Sequence, residues 1–150
     1  MKRFALIFLA LLSSMIFPNA YADNPSDAID MVEKGLAYVK KNSIEALIKE
    51  VNNKNPEFLK GDLYLVVRSL DGTTLAHPVN PKLVGKNMIV LPDADGKLFR
   101  KEIVEGAKSK GKGWVDYRYN NPVTKQLENK STYYVRSGDY TLEAGIYKGN

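Results

Sequence analysis

The 150-residue sequence contains no cysteine and a single histidine. The first absence excludes disulfides, thiolate metal sites, thiol nucleophiles and a lipidated cysteine. The second excludes a paired-histidine zinc centre and a metalloprotease helix, both of which need two imidazoles. A serine triad would have to use His77, yet no serine sits in a G-x-S-x-G elbow and Pro78 follows the histidine. The expectation is a protein without enzymatic turnover, cofactor or resident metal. Long apolar runs are also missing. The longest occupies residues 4–17 and contains Ser13 and Ser14, whereas a spanning helix needs about 20 apolar residues. With Lys2 and Arg3 before it and Pro18 and Ala20-Tyr21-Ala22 after it, the run reads as an export signal over residues 1–22. Cleavage after Ala22 would leave a domain over 23–150 that is periplasmic or secreted and not embedded in a membrane. Charge of one sign is scarce too: 22 basic residues face 17 acidic ones. Removing Lys2 and Arg3 leaves +3, which is no footprint for nucleic acid.

What is present describes one globular domain, 44% apolar and 26% charged. Ile29, Val32, Leu36 and Val39 recur at helical spacing behind Asn24-Pro25-Ser26-Asp27, where Ser26 is the expected cap. The phase slips at Asn42-Ser43, which caps a second helix with Ile44, Leu47, Ile48 and Val51 on its buried face. After Gly61 the pattern becomes β: a strand from Leu63 to Arg68, the turn pair Asp71-Gly72, and a strand from Thr73 to His77. Phe99, Ile103, Val104 and Ala107 predict a third helix. Strands are expected over 114–120, 131–136 and 140–147, paired antiparallel. The order predicts an α+β fold, with N-terminal amphipathic helices beside a five-stranded antiparallel sheet.

Several local patterns carry little. Asp93-Ala94-Asp95-Gly96 opens like a calcium loop but lacks the later ligands, and reads as a turn. Glu102 and Glu105 read as a solvated helix face. Asn129-Lys130-Ser131 matches a glycosylation acceptor, a pattern frequent by chance. The remaining signal is aromatic and cationic. Strand alternation puts Val115, Tyr117 and Tyr119 on one face and Trp114, Asp116 and Arg118 on the other. Tyr64 shares a face with Val66 and Arg68, and Tyr133 with Ser131 and Val135. Such phenols either wall a polar-lined pocket or are ordinary half-buried strand residues, and patterning leaves both readings open.

In chain order, Lys60-Gly61-Asp62-Leu63-Tyr64, Asp71-Gly72-Thr73, Ala76-His77-Pro78, Leu83-Val84-Gly85-Lys86-Asn87 and Asp93-Ala94-Asp95-Gly96-Lys97 resemble the type 2 single Cache domain, a PAS-like extracellular sensor module. Gly113-Trp114-Val115-Asp116-Tyr117, Asn121-Pro122, Lys130-Ser131 with Tyr133, and Ala144-Gly145-Ile146-Tyr147 continue the resemblance to the end of the chain. It implies a cavity over the sheet that binds a short carboxylate such as acetate, propionate, pyruvate or lactate without turnover. It also implies a ligand set of Tyr64, His77, Trp114, Tyr117, Tyr119, Lys130 and Tyr133. In that set Lys130 supplies charge, His77 a donor whose strength varies near neutral pH, the tyrosines hydroxyls, and Trp114 or Tyr119 a wall. Arg68 is not carried over as an anchor.

Lys130 and Tyr133 fall on opposite faces of a regular strand, so both reach one cavity only if Lys130 lies in a preceding loop or a bulge intervenes. With no second apolar span after the last strand, the expected role is a diffusible sensor. It would present its small organic acid ligand, or its bound shape, to a membrane receptor, sensor kinase or transporter. The alternative is an envelope interaction module that binds an acidic polymer or protein partner.

Overall fold

A computed structural model describes residues 24–149, so the export signal expected over residues 1–22 lies outside the described residues. Helix α1 spans Pro25–Lys41 and α2 spans Ile44–Asn52. The cap of α1 is Asn24 rather than Ser26: Pro25 occupies the first helical position, and the Asn24 side chain accepts from the Ser26 N–H at 3.1 Å. Ser43 caps α2 by accepting from the Ala46 N–H at 3.1 Å.

The strands are β1 (Leu59–Lys60), β2 (Leu63–Ser69), β3 (Thr74–Ala76), β4 (Lys112–Asn120), β5 (Leu127–Ser137) and β6 (Tyr140–Tyr147), with helix α3 (Phe99–Lys110) before β4. They form one antiparallel sheet in the order β1-β2-β6-β5-β4, and β3 also pairs with β2. The sixth strand is the two-residue β1, too short to leave a periodic signal. A 3-10 turn over Pro81–Leu83 interrupts the long β3–α3 connection. In the same connection the Asp93 carboxylate accepts from the N–H groups of Asp95, Lys97 and Arg118. The turn is thereby tied to β4.

The two faces of the sheet are chemically different because side chains alternate along each strand. Leu63, Leu65 and Val67 of β2, Tyr133 of β5, and Leu142, Ala144 and Ile146 of β6 join Met31, Val32, Leu47 and Val51 in one apolar core under α1 and α2. On the opposite face β2 presents Tyr64, Val66 and Arg68 and β6 presents Glu143, Gly145 and Tyr147. There Phe99 and Ile103 of α3 pack with Val115 and Tyr134 of β4 and β5. Polar and aromatic residues fill the space between α3 and β2.

Candidate ligand-binding site

Lys130 lies within β5, whose ladder with β4 begins at Leu127 opposite Asn120, and its side chain therefore joins Thr132 on the α3 face. The side chain is 3% exposed. Its Nζ donates to the Tyr64 hydroxyl at 2.8 Å and to the Tyr147 hydroxyl at 3.3 Å, and it sits 4.0 and 4.4 Å from those ring centroids. Tyr147 passes its own proton to the Asn120 carbonyl at 2.9 Å. Among the described residues no carboxylate lies within 4.0 Å of the ammonium. Burial drives its pKa down to about 7, offset only in part by the fields of Asp62 and Glu143.

The side chain can lie there because β6 carries glycine at 145. A Cβ at that position would stand 2.5 Å from Lys130 Cε and 2.3 Å from Thr132 Oγ1. Gly145 is thus the floor over which the lysine stem runs.

Arg68 also reaches this face, and each of its three nitrogens donates to a protein acceptor. Its Nε and Nη2 donate to the two Glu143 oxygens at 2.9 and 3.0 Å, and Nη1 donates to Thr74 Oγ1 at 2.9 Å. Thr141 Oγ1 donates to the same carboxylate at 2.6 Å. Burial opposes the guanidinium charge, but Glu143 outweighs it and the Arg68 pKa rises. A bidentate pair of this kind orders the wall and contributes no free charge.

His77 is buried, with Nδ1 accepting from the Asn80 N–H at 3.1 Å and the ring 5.2 Å from Tyr64. That acceptor role places the proton of the neutral ring on Nε2. Burial, and then the fields of Lys130, Arg68 and Arg100, depress its pKa to about 3. The expectation of a donor that varies near neutral pH is therefore corrected: His77 is a fixed neutral imidazole there.

These residues surround one narrow cavity lined by Tyr64, Val66, Arg68, Thr74, His77, Leu83, Phe99, Arg100, Tyr117, Tyr119, Lys130, Thr132, Glu143 and Gly145. The space open to the centre of a water molecule is about 20 Å³, enough for an ordered water and close to the minimum for one. Tyr117 donates to or accepts from Thr132 at 2.9 Å and stacks on Phe99 at 3.8 Å. Tyr64, His77 and Tyr119 also wall a shallow outer cleft of about 390 Å³ that runs along Asn120, Asn121 and Pro122. Behind it, the Asn121 side chain bridges the Asp62 and Glu128 carboxylates at 3.0 Å each.

Of the seven residues expected at the site, Tyr64, His77, Tyr117, Tyr119 and Lys130 line the cavity, whereas Trp114 and Tyr133 do not. Tyr133 packs in the core under α1, and Trp114 leans on it at 5.2 Å on the same face, 38% exposed. The reason is parity: β5 is regular through residues 127–137, so no bulge turns Tyr133 toward Lys130. Val66, Arg68, Thr74, Leu83, Phe99, Arg100, Thr132, Glu143 and Gly145 complete the lining and lie outside the expected set. Strand parity with Tyr64 and Lys130 places Arg68 and Thr132 there; nothing in the local sequence marks Arg100.

A family described as Single Cache domain 2 matches residues 23–147. Methyl-accepting chemotaxis protein McpP of Pseudomonas putida is 27% identical over 88 residues, which are 57% of this chain and 16% of that protein. The chain thus spans only about a sixth of that relative. A methyl-accepting chemotaxis protein from Vibrio parahaemolyticus superposes with a TM-score of 0.70 at 20% identity, covering 81% of this chain and 86% of the other. A Cache chemosensory domain, solved to explain carboxylic acid recognition, superposes at 0.64 with 24% identity over 82% and 87% of the two chains. A periplasmic sensor domain of a chemotaxis protein does so at 0.64 and 24% over 82% and 89%.

Proposed function

The chain belongs to the Single Cache domain 2 family, and from that premise we propose that it is a sensor domain outside the cytoplasm that binds a short carboxylate in the α3-face cavity. The observation that carries the reading is Lys130, a buried cation with hydroxyls around it and no counter-ion among the described residues. An ammonium held this way costs several kcal/mol relative to water. A carboxylate in the cavity would remove that cost by pairing with Nζ.

Tyr64 supports the same reading: its oxygen accepts from Lys130 at 2.8 Å, and its own proton faces the Tyr147 hydroxyl at 3.3 Å, a long bond that an incoming carboxylate oxygen would replace. The aromatic walls from Tyr117, Tyr119 and Phe99 suit the short hydrocarbon end. The cavity is narrow, with room for about one water, so the acid is small, and one of two or three carbons enters only as the lining around Leu83 yields. Binding without turnover fits a site whose one imidazole is neutral, held through Nδ1 by a backbone N–H. The bound state would be presented to a membrane receptor, sensor kinase or transporter, and an export signal over residues 1–22 would deliver the domain there.

Thermal denaturation against a panel of two- to four-carbon acids tests this, since specific binding to the native state raises Tm by mass action. At least one acid is expected to shift Tm in a saturable manner, and Lys130→Met is expected to abolish the shift while the fold persists. An unaltered shift in Lys130→Met, or no shift with any acid, would overturn the reading.

A further inference from the structure

Arg100 is the second residue of α3, the helix that packs over β4 and β5. It is 5% exposed, and its guanidinium lies 4.2 Å from the centroid of the Phe99 ring. One nitrogen donates to the Leu91 carbonyl at 3.3 Å, and no carboxylate among the described residues lies within 4.0 Å. A guanidinium has five N–H donors in a planar fork. Arg68 on the neighbouring wall is different, since Glu143 and Thr74 occupy its fork. The cavity therefore holds two cations without a counter-ion, Lys130 from the sheet and Arg100 from the helix covering it.

A monocarboxylate whose two oxygens face Lys130 and the hydroxyls beside it leaves the Arg100 fork without an acceptor. We propose that Arg100 is the specificity-determining residue of the site, reading a second oxygen function, hydroxyl, oxo or carboxylate, on a two- or three-carbon acid whose first carboxylate is taken by Lys130. The inference rests on the carboxylate reading above. It follows from desolvation: a buried fork left facing a methyl group forgoes hydrogen bonds it would have made to water, and discrimination against the ligand lacking the oxygen is the result. Burial, together with the field of Arg68, lowers the Arg100 pKa.

Isothermal titration calorimetry with propionate, lactate and malonate tests it, because the three acids share a carbon count and differ in the second oxygen function. The intact domain is expected to bind lactate or malonate at least about tenfold more tightly than propionate. Arg100→Met is expected to erase that preference, lactate and malonate losing at least about tenfold more affinity than propionate. Arg100→Lys, which keeps the charge but loses the fork, is expected to retain part of the malonate preference and lose that for lactate. Equal affinities of the intact domain for all three acids, or an equal loss for all three in Arg100→Met, would overturn the role of Arg100 and leave the carboxylate site standing. Absence of binding by every acid would instead remove the site itself.

Discussion

Placing a lysine ammonium beneath a helix without a paired carboxylate costs the native state, and Lys130 carries that cost with two phenol oxygens, three aromatic faces and the more distant fields of Asp62 and Glu143 as compensation. A consequence is that function and stability pull against each other at this one residue. Lys130→Met preserves the stem and removes the charge, and Tyr64 and Tyr147 keep each other at 3.3 Å. The variant is expected to be more stable than the parent without ligand, by about 1–3 kcal/mol in urea denaturation at neutral pH, while losing acid-induced stabilisation. A loss of stability instead would mean that the ammonium is better paired in solution than its partners here allow. His77 shows the opposite economy: its ring is neutral, its Nδ1 is occupied, and its role near neutral pH is geometric.

At the scale of elements, the cavity depends on what the central strands leave out and what they pin. Gly145→Ala puts a methyl 2.3 Å from Thr132 Oγ1, 2.5 Å from Lys130 Cε and 3.1 Å from the Ser131 carbonyl. The backbone cannot give way, so the strain falls on the Thr132 and Lys130 side chains. The expected outcome is a cost of about 1–3 kcal/mol in stability with a disproportionate loss of carboxylate affinity, read by calorimetry. Arg68 and Glu143 lock β2 to β6 across the same face. Arg68→Met alone strands a buried carboxylate and should cost about 3–5 kcal/mol, whereas Arg68→Met with Glu143→Leu should restore most of it; equal losses in single and double variants would show that the pair is not the cause.

These elements also show what the sequence made legible. The helical faces, the Ser43 cap, the Asp71-Gly72 hairpin and the facing of Tyr64 and Tyr117 follow from spacing alone, because periodicity and turn chemistry are local. The start of β5 was hidden, since Glu128 and Lys130 look like loop residues to any measure of hydropathy. Lys130 is polar because it faces the cavity and Glu128 because it holds the Asn121 and Thr124 side chains, so the feature that makes Lys130 functional is the one that disguises the strand. Arg100 was illegible for a related reason: its meaning depends on Arg68 being taken by Glu143, a contact spanning 75 residues.

For the whole molecule, the two perturbed bases fix how stability varies with pH. The folded-state pKa of His77 is about 3, below the unfolded value of about 6.5, so the unfolded chain binds more protons across that interval and stability climbs as pH rises through it. Lys130 acts with the same sign in a higher window, between its folded value of about 7 and an unfolded value of about 10.4. The ligand-free domain is therefore expected to gain stability from pH 3 to 6.5 and again from pH 7 upward, rather than reaching a plateau at neutrality. A carboxylate paired with Nζ holds Lys130 charged, so saturating acid should flatten the upper limb and binding should take up a proton. Affinity should then weaken above pH 7, by up to about tenfold per unit. Urea midpoints at pH 5, 7 and 9 with and without acid, together with calorimetry in buffers of different ionisation enthalpy, measure both effects. A flat ligand-free profile between pH 7 and 9, or binding that takes up no proton near pH 8, would show that Lys130 is fully charged in the empty cavity, and the electrostatic account of recognition would have to be rebuilt around Arg100 alone.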